Sequence, residues 1–206
     1  TAEQARAYVR ELYLLMTYAG VTRGDLYHGN MRFDVNISVA KKDAQQGGKR
    51  AEVKNLNSFR AVEKVVEYEF KRQVELCEKG EKVVQETRGW DEAKQKTFSQ
   101  RSKEDAQDYR YMPEPDIPPI VLESKDVEKI RRELSPLPQV YRTAWDPLGF
   151  DISVTNTLLA EQKTAQLVLA IQKESGAIVA KRVANWLVSA VGGDDTPSSA
   201  ELNLNQ

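Results

Sequence analysis

The sequence is 206 residues long, which is enough to bury a hydrophobic core without disulfides or structural metals. Its 30 Lys and Arg nearly balance its 31 Asp and Glu, so the overall charge does not favour nucleic acid over other partners. The single cysteine, Cys77, excludes an intrachain disulfide and a zinc site of several thiolates, which favours a reducing, cytoplasmic compartment. No apolar run approaches the roughly 18 residues of a membrane span, so we expect a soluble protein.

An amphipathic helix and a β-hairpin are the first elements predicted along the chain. Thr1 and Gln4 resemble a capping box, and apolar residues then recur every three or four positions as far as Gly20. Because a helix begins at once and the first residue is not Met, we expect the natural protein to continue upstream. Residues 31–39 alternate strictly between apolar and polar side chains, which indicates a strand with one buried face. A polar loop leads from it into a second strand over 50–56.

A longer helix and a second pair of strands follow the hairpin. Ser58 is placed to cap the N-terminus of this helix, and Gly80 falls where its C-terminal cap is expected. The stripe predicted to be buried consists of Phe59, Val62, Val66, Phe70, Val74 and Cys77. Two further strands, over 83–90 and 97–101, are predicted with a charged turn between them.

Prolines mark a change of character after these strands. Pro113, Pro115, Pro118 and Pro119 exclude a helix and favour an extended path. Beyond them only helices are predicted, over 126–134, from Pro136, over 158–173 and over 177–191. The predicted fold class is therefore α+β, an antiparallel-sheet domain followed by an all-helical one. The predicted domains are residues 1–122, residues 123–192 and a flexible tail or linker over 193–206.

The polar face of the predicted hairpin is a candidate chemical site. Alternation places polar side chains on one face of both strands: Arg32, Asp34, Asn36 and Ser38 on the first, and Arg50, Glu52 and Lys54 on the second. Neighbouring strands lie about 4.8 Å apart, so these side chains would meet in one patch. Carboxylates can hold Mg²⁺ while Lys and Arg neutralise a moving phosphoryl group, which suits phosphoryl transfer. The simpler interpretation is a solvated sheet face with cross-strand salt bridges.

Two neighbouring segments could extend this site. Asn55 and Asn57 stand between the second strand and the helix, where they either shape the turn or, with Arg60, help the helix N-terminus to meet an anion such as phosphate. Arg88 could contact a phosphate and Trp90 an adenine ring, although an aromatic residue at a strand end more often packs in the core.

Four segments, in their order and spacing, resemble the B subunit of the glutamyl/aspartyl-tRNA amidotransferases. They are MRFDVNISV at 31–39, EVKNLNSFR at 52–60, QETRGWD at 85–91 and DYRYMPEPDIPP at 108–119. A weaker resemblance continues through 135–138 to 183–187. It implies a cradle-shaped catalytic domain built on antiparallel sheet, followed by helical modules that grip tRNA. The family's N-terminal part and C-terminal tail domain have no counterpart here, so we expect a fragment that is inactive alone.

The resemblance also implies an activity. The family uses ATP and Mg²⁺ to phosphorylate the side-chain carboxylate of Glu or Asp mischarged on tRNA(Gln) or tRNA(Asn), and ammonia then displaces the phosphate. The implied partners are the glutaminase subunit, a small bridging subunit and the misacylated tRNA. The alternative is a non-catalytic tRNA-binding scaffold of the same or a related assembly, which would show no response to nucleotide.

By position, the resemblance also indicates site residues. Those in or beside the phosphorylation site would be Arg32, Asp34, Asn36, Glu52, Lys54, Asn55 and Asn57. Our hypothesis for their roles places Asp34 and Glu52 on or near the metal, Lys54 and Arg32 on phosphate, and the three amides on ATP or substrate. Asp34, Glu52 and Lys54 are the predicted catalytic groups, and Arg88 is a further predicted ATP or substrate contact.

Overall fold

The computed structural model describes residues 1–42, 44, 47–102 and 115–191. Contacts group the chain into two compact units, one formed by Thr1–Tyr13 with Thr22–Ile130 and the other by Leu14–Val21 with Arg131–Gln206. No helix in the described ranges is both long and apolar enough to cross a membrane. Part of the proline-rich prediction, residues 109–114, and the predicted tail over 193–206 lie outside the described residues.

Helix α1 spans Ala2–Tyr18 and has the predicted ends. The Gln4 backbone N–H donates to Thr1 Oγ1 at 3.3 Å, and the Thr1 amino group donates to Gln4 Oε1 at 2.8 Å. These reciprocal contacts form the predicted capping box. The helix stops before Gly20, whose φ of 72° lies in the left-handed region that favours glycine.

The four strands of the sheet pair in chain order within the described residues. They are β1 (Phe33–Ile37), β2 (Ala51–Leu56), β3 (Glu86–Asp91) and β4 (Lys96–Ser102). The β1–β2 and β3–β4 pairs are antiparallel, but β2 and β3 run parallel. The α+β class is confirmed, while the expectation of a wholly antiparallel sheet needs correction. Helix α2 (Phe59–Glu78) carries the chain back to the end of the sheet where β2 began, so β3 runs in the same direction as β2.

Helix α2 packs on one face of this sheet and forms the core of the first unit. The buried cluster consists of Phe33, Val53, Leu56, Ala61, Val62 and Val65. Ser58 caps the helix as predicted, because its side chain accepts the Ala61 N–H at 3.0 Å. The predicted apolar stripe is only partly correct. Phe70 is 55% exposed, and the buried positions farther along the helix are Glu69 and Gln73. These two polar residues replace apolar ones because the strands supply hydrogen-bond partners for them.

The later elements are helical, as predicted, with different boundaries. They are α3 (Ser124–Glu133), α4 (Pro138–Trp145), a 3₁₀ turn (Asp146–Leu148), α5 (Ile152–Leu159) and α6 (Gln162–Val191). The sequence pattern merges the end of α5 with α6 and does not reveal the break between Leu159 and Gln162. Gly176 interrupts α6 with a non-helical φ of 84°, close to the predicted break after residue 173. Buried side chains of Tyr141, Trp145, Leu158, Leu159 and Val168 form the core of the second unit.

Candidate functional site

The polar face of the β1–β2 pair assembles as the alternation predicts. Asp34 and Asn36 are exposed on β1, while Phe33 is buried on the opposite face. Asn36 lies directly across from Glu52 in the antiparallel register. Lys54 Nζ stands 3.5 Å from Glu52 Oε1 and 3.9 Å from Asp34 Oδ2, so one ammonium group lies near both carboxylates. The predicted catalytic residues Asp34, Glu52 and Lys54 therefore form one cluster.

A register shift in this strand pair brings Arg32 and Asn55 into the same group. The shift lies between Phe33 and Val35, and on the facing strand Asn55 adopts a positive φ of 63°. Its backbone N–H donates to Asp34 Oδ1 at 3.0 Å. Its side-chain Oδ1 accepts a hydrogen bond from Arg32 Nη1 at 3.3 Å. Arg32 and Asp34 are thus joined through a single residue.

A cavity of about 500 Å³ opens beside this cluster. One wall is the turn from β2 into α2, where Lys54, Asn55 and Asn57 line the space together with the first turn of the helix. The other wall comes from β3 and β4 and includes Gly89 and Phe98. Gly89 lets the Phe98 ring lie against its backbone, because a Cβ at this position would stand 2.5 Å from that ring. The cavity therefore combines amides, a cation and a half-exposed aromatic ring, whereas Arg60 is not among its lining residues.

The donor atoms of the cluster are compatible with Mg²⁺. Among the described residues, no group of three His, Cys, Asp or Glu side chains is close enough to hold a metal ion. Mg²⁺ commonly takes only one or two protein carboxylates and completes its shell with phosphate oxygens and water. Asp34 and Glu52 supply that number of carboxylates, and both lie near Lys54.

Arg88 lies apart from the polar face, in a buried network against α2. Its Nε is 3.1 Å from Glu69 Oε1 and donates to Thr97 Oγ1 at 2.8 Å, while its two terminal nitrogens bond Glu86 and the Thr97 carbonyl. Burial alone would raise the pKa of Glu69, but hydrogen bonds from Arg72 and Thr97 outweigh it, so that pKa lies below its ordinary value. The predicted phosphate contact thus has carboxylate and hydroxyl partners inside the fold.

Trp90 also packs on the helix side of the sheet. Its ring meets Tyr68 edge-on with centroids 6.3 Å apart, and its Nε1 donates to Glu92 Oε2 at 2.5 Å. Trp90 is also among the residues that line the cavity. Core packing, the simpler interpretation of this aromatic residue, therefore describes most of its contacts.

The sequence pattern did not predict two buried polar residues of α2, Glu69 and Gln73. Gln73 Oε1 accepts the Val39 backbone N–H at 3.1 Å, and Gln73 Nε2 donates to the Ile37 carbonyl at 3.3 Å. Gln73 Nε2 also donates to Glu69 Oε2 at 3.2 Å. Both residues continue the helical spacing of Val62 and Val65, so a polar pair on the core-facing stripe was the available signal.

Comparisons with known proteins match the chain to a single family. The family model described as "GatB/GatE catalytic domain" matches residues 1–128. The chain is 39% identical over 191 residues to the chloroplast and mitochondrial glutamyl-tRNA(Gln) amidotransferase B subunit of Physcomitrium patens, covering 93% of this chain and 34% of that protein. It is 41% identical over 192 residues to the aspartyl/glutamyl-tRNA(Asn/Gln) amidotransferase B subunit of a Synechococcus strain, covering 93% and 39%. The protein of the same name in Gloeobacter violaceus is 43% identical over 195 residues, covering 93% and 34%. The chain thus spans between 34% and 39% of the length of these relatives.

Proposed function

Because the chain belongs to the GatB/GatE catalytic domain family, we propose that it carries part of the activating site of the B subunit in a tRNA-dependent amidotransferase. In the proposed reaction, a carboxylate oxygen of Glu or Asp attached to tRNA attacks the γ-phosphorus of ATP, forming an acyl phosphate and releasing ADP. Ammonia then attacks the carbonyl carbon, and inorganic phosphate leaves as the amide forms. The enzyme would be a carbon–nitrogen ligase with glutamine as its amido donor.

The observation that carries this proposal is the cluster of Lys54 with Asp34 and Glu52 at the edge of the cavity. Phosphoryl transfer depends mainly on positioning and charge neutralisation, so cations and metal-binding carboxylates on rigid strands are the groups it requires. Lys54 and Arg32 would neutralise the phosphoryl oxygens. Asp34 and Glu52 would hold Mg²⁺, which stabilises the charge on the phosphates when it is bound.

Amide side chains surround these charged groups, and those of Asn36 and Asn57 would contact ATP or the substrate. Asn36 lies across from Glu52, while Asn55 and Asn57 line the cavity. The first turn of α2 reaches the same cavity, where its N-terminal N–H groups favour an anion. Arg88 is left out of the proposed site because its donors already bond Glu69, Glu86 and Thr97.

The proposal extends to substrates and partners. Relatives named as the B subunits of tRNA amidotransferases support misacylated tRNA(Gln) or tRNA(Asn) as the substrate carrier. Because such a subunit acts within an assembly, we propose that a glutaminase subunit supplies the ammonia and that a small bridging subunit completes the complex. We propose a cytoplasmic location, which the single cysteine fits, with a mitochondrial or plastid location as the alternative.

The test is the Glu52→Gln change in the assembled amidotransferase that contains this chain. We expect ATP-dependent amidation of Glu-tRNA to fall by about a hundredfold or more, equivalent to at least ~2.7 kcal/mol, because a charged group of the transition-state site is lost. Glutaminase activity and tRNA affinity should remain as in the wild type.

Glu67→Gln is the matched control. Glu67 is also a carboxylate paired with a lysine, Lys64, but it lies on α2 away from the cavity lining. The control should amidate at the wild-type rate. Unchanged amidation in Glu52→Gln would contradict the proposal and favour a tRNA-binding scaffold whose polar strand face makes ordinary ion pairs.

A further inference from the structure

Asn55 has an unusual backbone conformation for a residue inside a strand. Among the described residues, Asn55 with φ 63° and Gln95 with φ 49° are the non-glycine residues with a positive φ. Gln95 lies in the turn between β3 and β4, where this conformation is common. Asn55 instead lies in β2 and lines the cavity. Asparagine tolerates the left-handed region better than most residues, yet such conformations tend to persist where the surrounding contacts require them.

The conformation lets Asn55 contact two charged groups at once. Its N–H reaches Asp34 Oδ1 at 3.0 Å, and its Oδ1 reaches Arg32 Nη1 at 3.3 Å. The Arg32 side chain also passes near the preceding loop, because a Cβ added at Gly29 would stand 3.5 Å from Arg32 Nε. The Arg32 guanidinium is therefore tied to the neighbouring strand through the Asn55 amide.

We infer that Asn55 is a positioning residue, which holds Arg32 and Asp34 in place for an anionic phosphoryl group and does not itself bind the substrate. The inference rests on the proposed function, and it replaces the substrate contact predicted for Asn55. A guanidinium has five N–H donors in a fixed fork, so one hydrogen bond to Asn55 leaves the fork able to meet phosphate oxygens. Fixing its orientation in advance lowers the ordering cost when the phosphoryl group arrives.

Two substitutions separate the side-chain acceptor from the backbone. Asn55→Gly keeps the left-handed conformation and the N–H to Asp34 but removes the acceptor for Arg32. Asn55→Asp tolerates the same conformation and retains an acceptor oxygen. In the assembled amidotransferase we expect Asn55→Gly to lower kcat/KM for amidation on the order of tenfold, and Asn55→Asp to restore most of that loss. Thermal midpoints should be alike in all three proteins.

A double-mutant cycle with Arg32→Gln provides the decisive comparison. If Asn55 acts through Arg32, Asn55→Gly should cost nothing further once Arg32 is Gln. If the losses in kcat/KM from Arg32→Gln and Asn55→Gly multiply in the double variant, the inference is overturned and direct substrate contact by Asn55 is favoured. Wild-type kinetics for Asn55→Gly would also overturn it, while the Glu52→Gln result would still decide the proposed function.

A measurement without activity tests the same contact. Nitrogen-15 relaxation of the Arg32 Nε–H should show a lower order parameter in Asn55→Gly than in the wild type, because the guanidinium loses its acceptor. Unchanged Arg32 mobility would overturn the positioning role. This holds even if the wild type shows no ATP-dependent amidation, an outcome that would count against the proposed function alone.

Discussion

Glu69 is a fully buried carboxylate on the helix face that contacts the sheet. Arg72 donates to both of its oxygens at 2.8 to 3.1 Å, and Arg88 Nε lies 3.1 Å from Glu69 Oε1. Its pKa in the folded chain lies below the ordinary value, since these hydrogen bonds outweigh the opposing effect of burial. Removing one charge from such a network leaves the others buried without compensation.

We expect Glu69→Gln to lower the free energy of unfolding at pH 7 by about 3 kcal/mol. A depressed folded pKa contributes stability above the unfolded value of roughly 4.3, and this contribution is lost as the pH falls through the folded pKa. The difference in the free energy of unfolding between wild type and variant should therefore decrease at acidic pH. Urea unfolding at pH 7 and at pH values below about 4 measures this difference. An equal difference at both pH values would contradict the ion-pair assignment.

Some residue-level features were readable from the sequence and others were not. Alternation over 31–39 predicted the exposed and buried sides of β1 correctly, since the period of a strand does not depend on its neighbours. The buried side of α2 was harder, because Val66 and Phe70 have helical spacing just as Val65 and Glu69 do. Partners on the strands decide between the two, and those partners come together only in the folded chain.

At the scale of elements, the β1–β2 hairpin has close backbone packing within the loop that joins its two strands. A Cβ added at Gly48 would stand 1.9 Å from the Val39 carbonyl oxygen, which is backbone and cannot swing away. A Cβ at Gly47 would meet nothing within 4 Å. Alanine substitution at Gly47 can therefore serve as the control for alanine substitution at Gly48.

We expect Gly48→Ala to destabilise the chain by about 2 kcal/mol, because the loop must move to admit the new methyl group. Gly47→Ala should stay within about 0.5 kcal/mol of the wild type. Thermal unfolding of the two variants side by side checks this. Equal midpoints would show that the loop adapts without disturbing β1.

The parallel pairing of β3 with β2 is the feature of the sheet that the sequence pattern did not predict. Strand patterns predicted β3 and β4 as a hairpin, and that pair is antiparallel as its short charged turn requires. The prediction of an antiparallel sheet did not use the helix between β2 and β3, although a helical crossover is the usual link between parallel neighbours. The positive φ of Asn55 had no comparable signal, since it depends on the register shift opposite.

At the scale of the whole molecule, charge balance limits how the chain can attract nucleic acid. The formal net charge is −1, so the net charge supplies no long-range attraction for RNA. We expect an unrelated RNA duplex to bind no tighter than about 10⁻⁴ M at physiological salt. Fluorescence anisotropy with a labelled duplex measures this affinity, and micromolar binding would reveal a concentrated basic surface that the composition conceals.

The order of strands in the sheet also bears on how the chain folds. In the described part of the chain, β1, β2, β3 and β4 pair in the order in which they are synthesised, so none of these four strands inserts between two earlier ones. Each new strand meets an edge that its predecessor has just formed, and α2 covers one face before β3 is made. Pairing each strand with its immediate predecessor avoids contacts of greater sequence separation, which favours rapid folding. The sheet can therefore grow strand by strand as the chain leaves the ribosome.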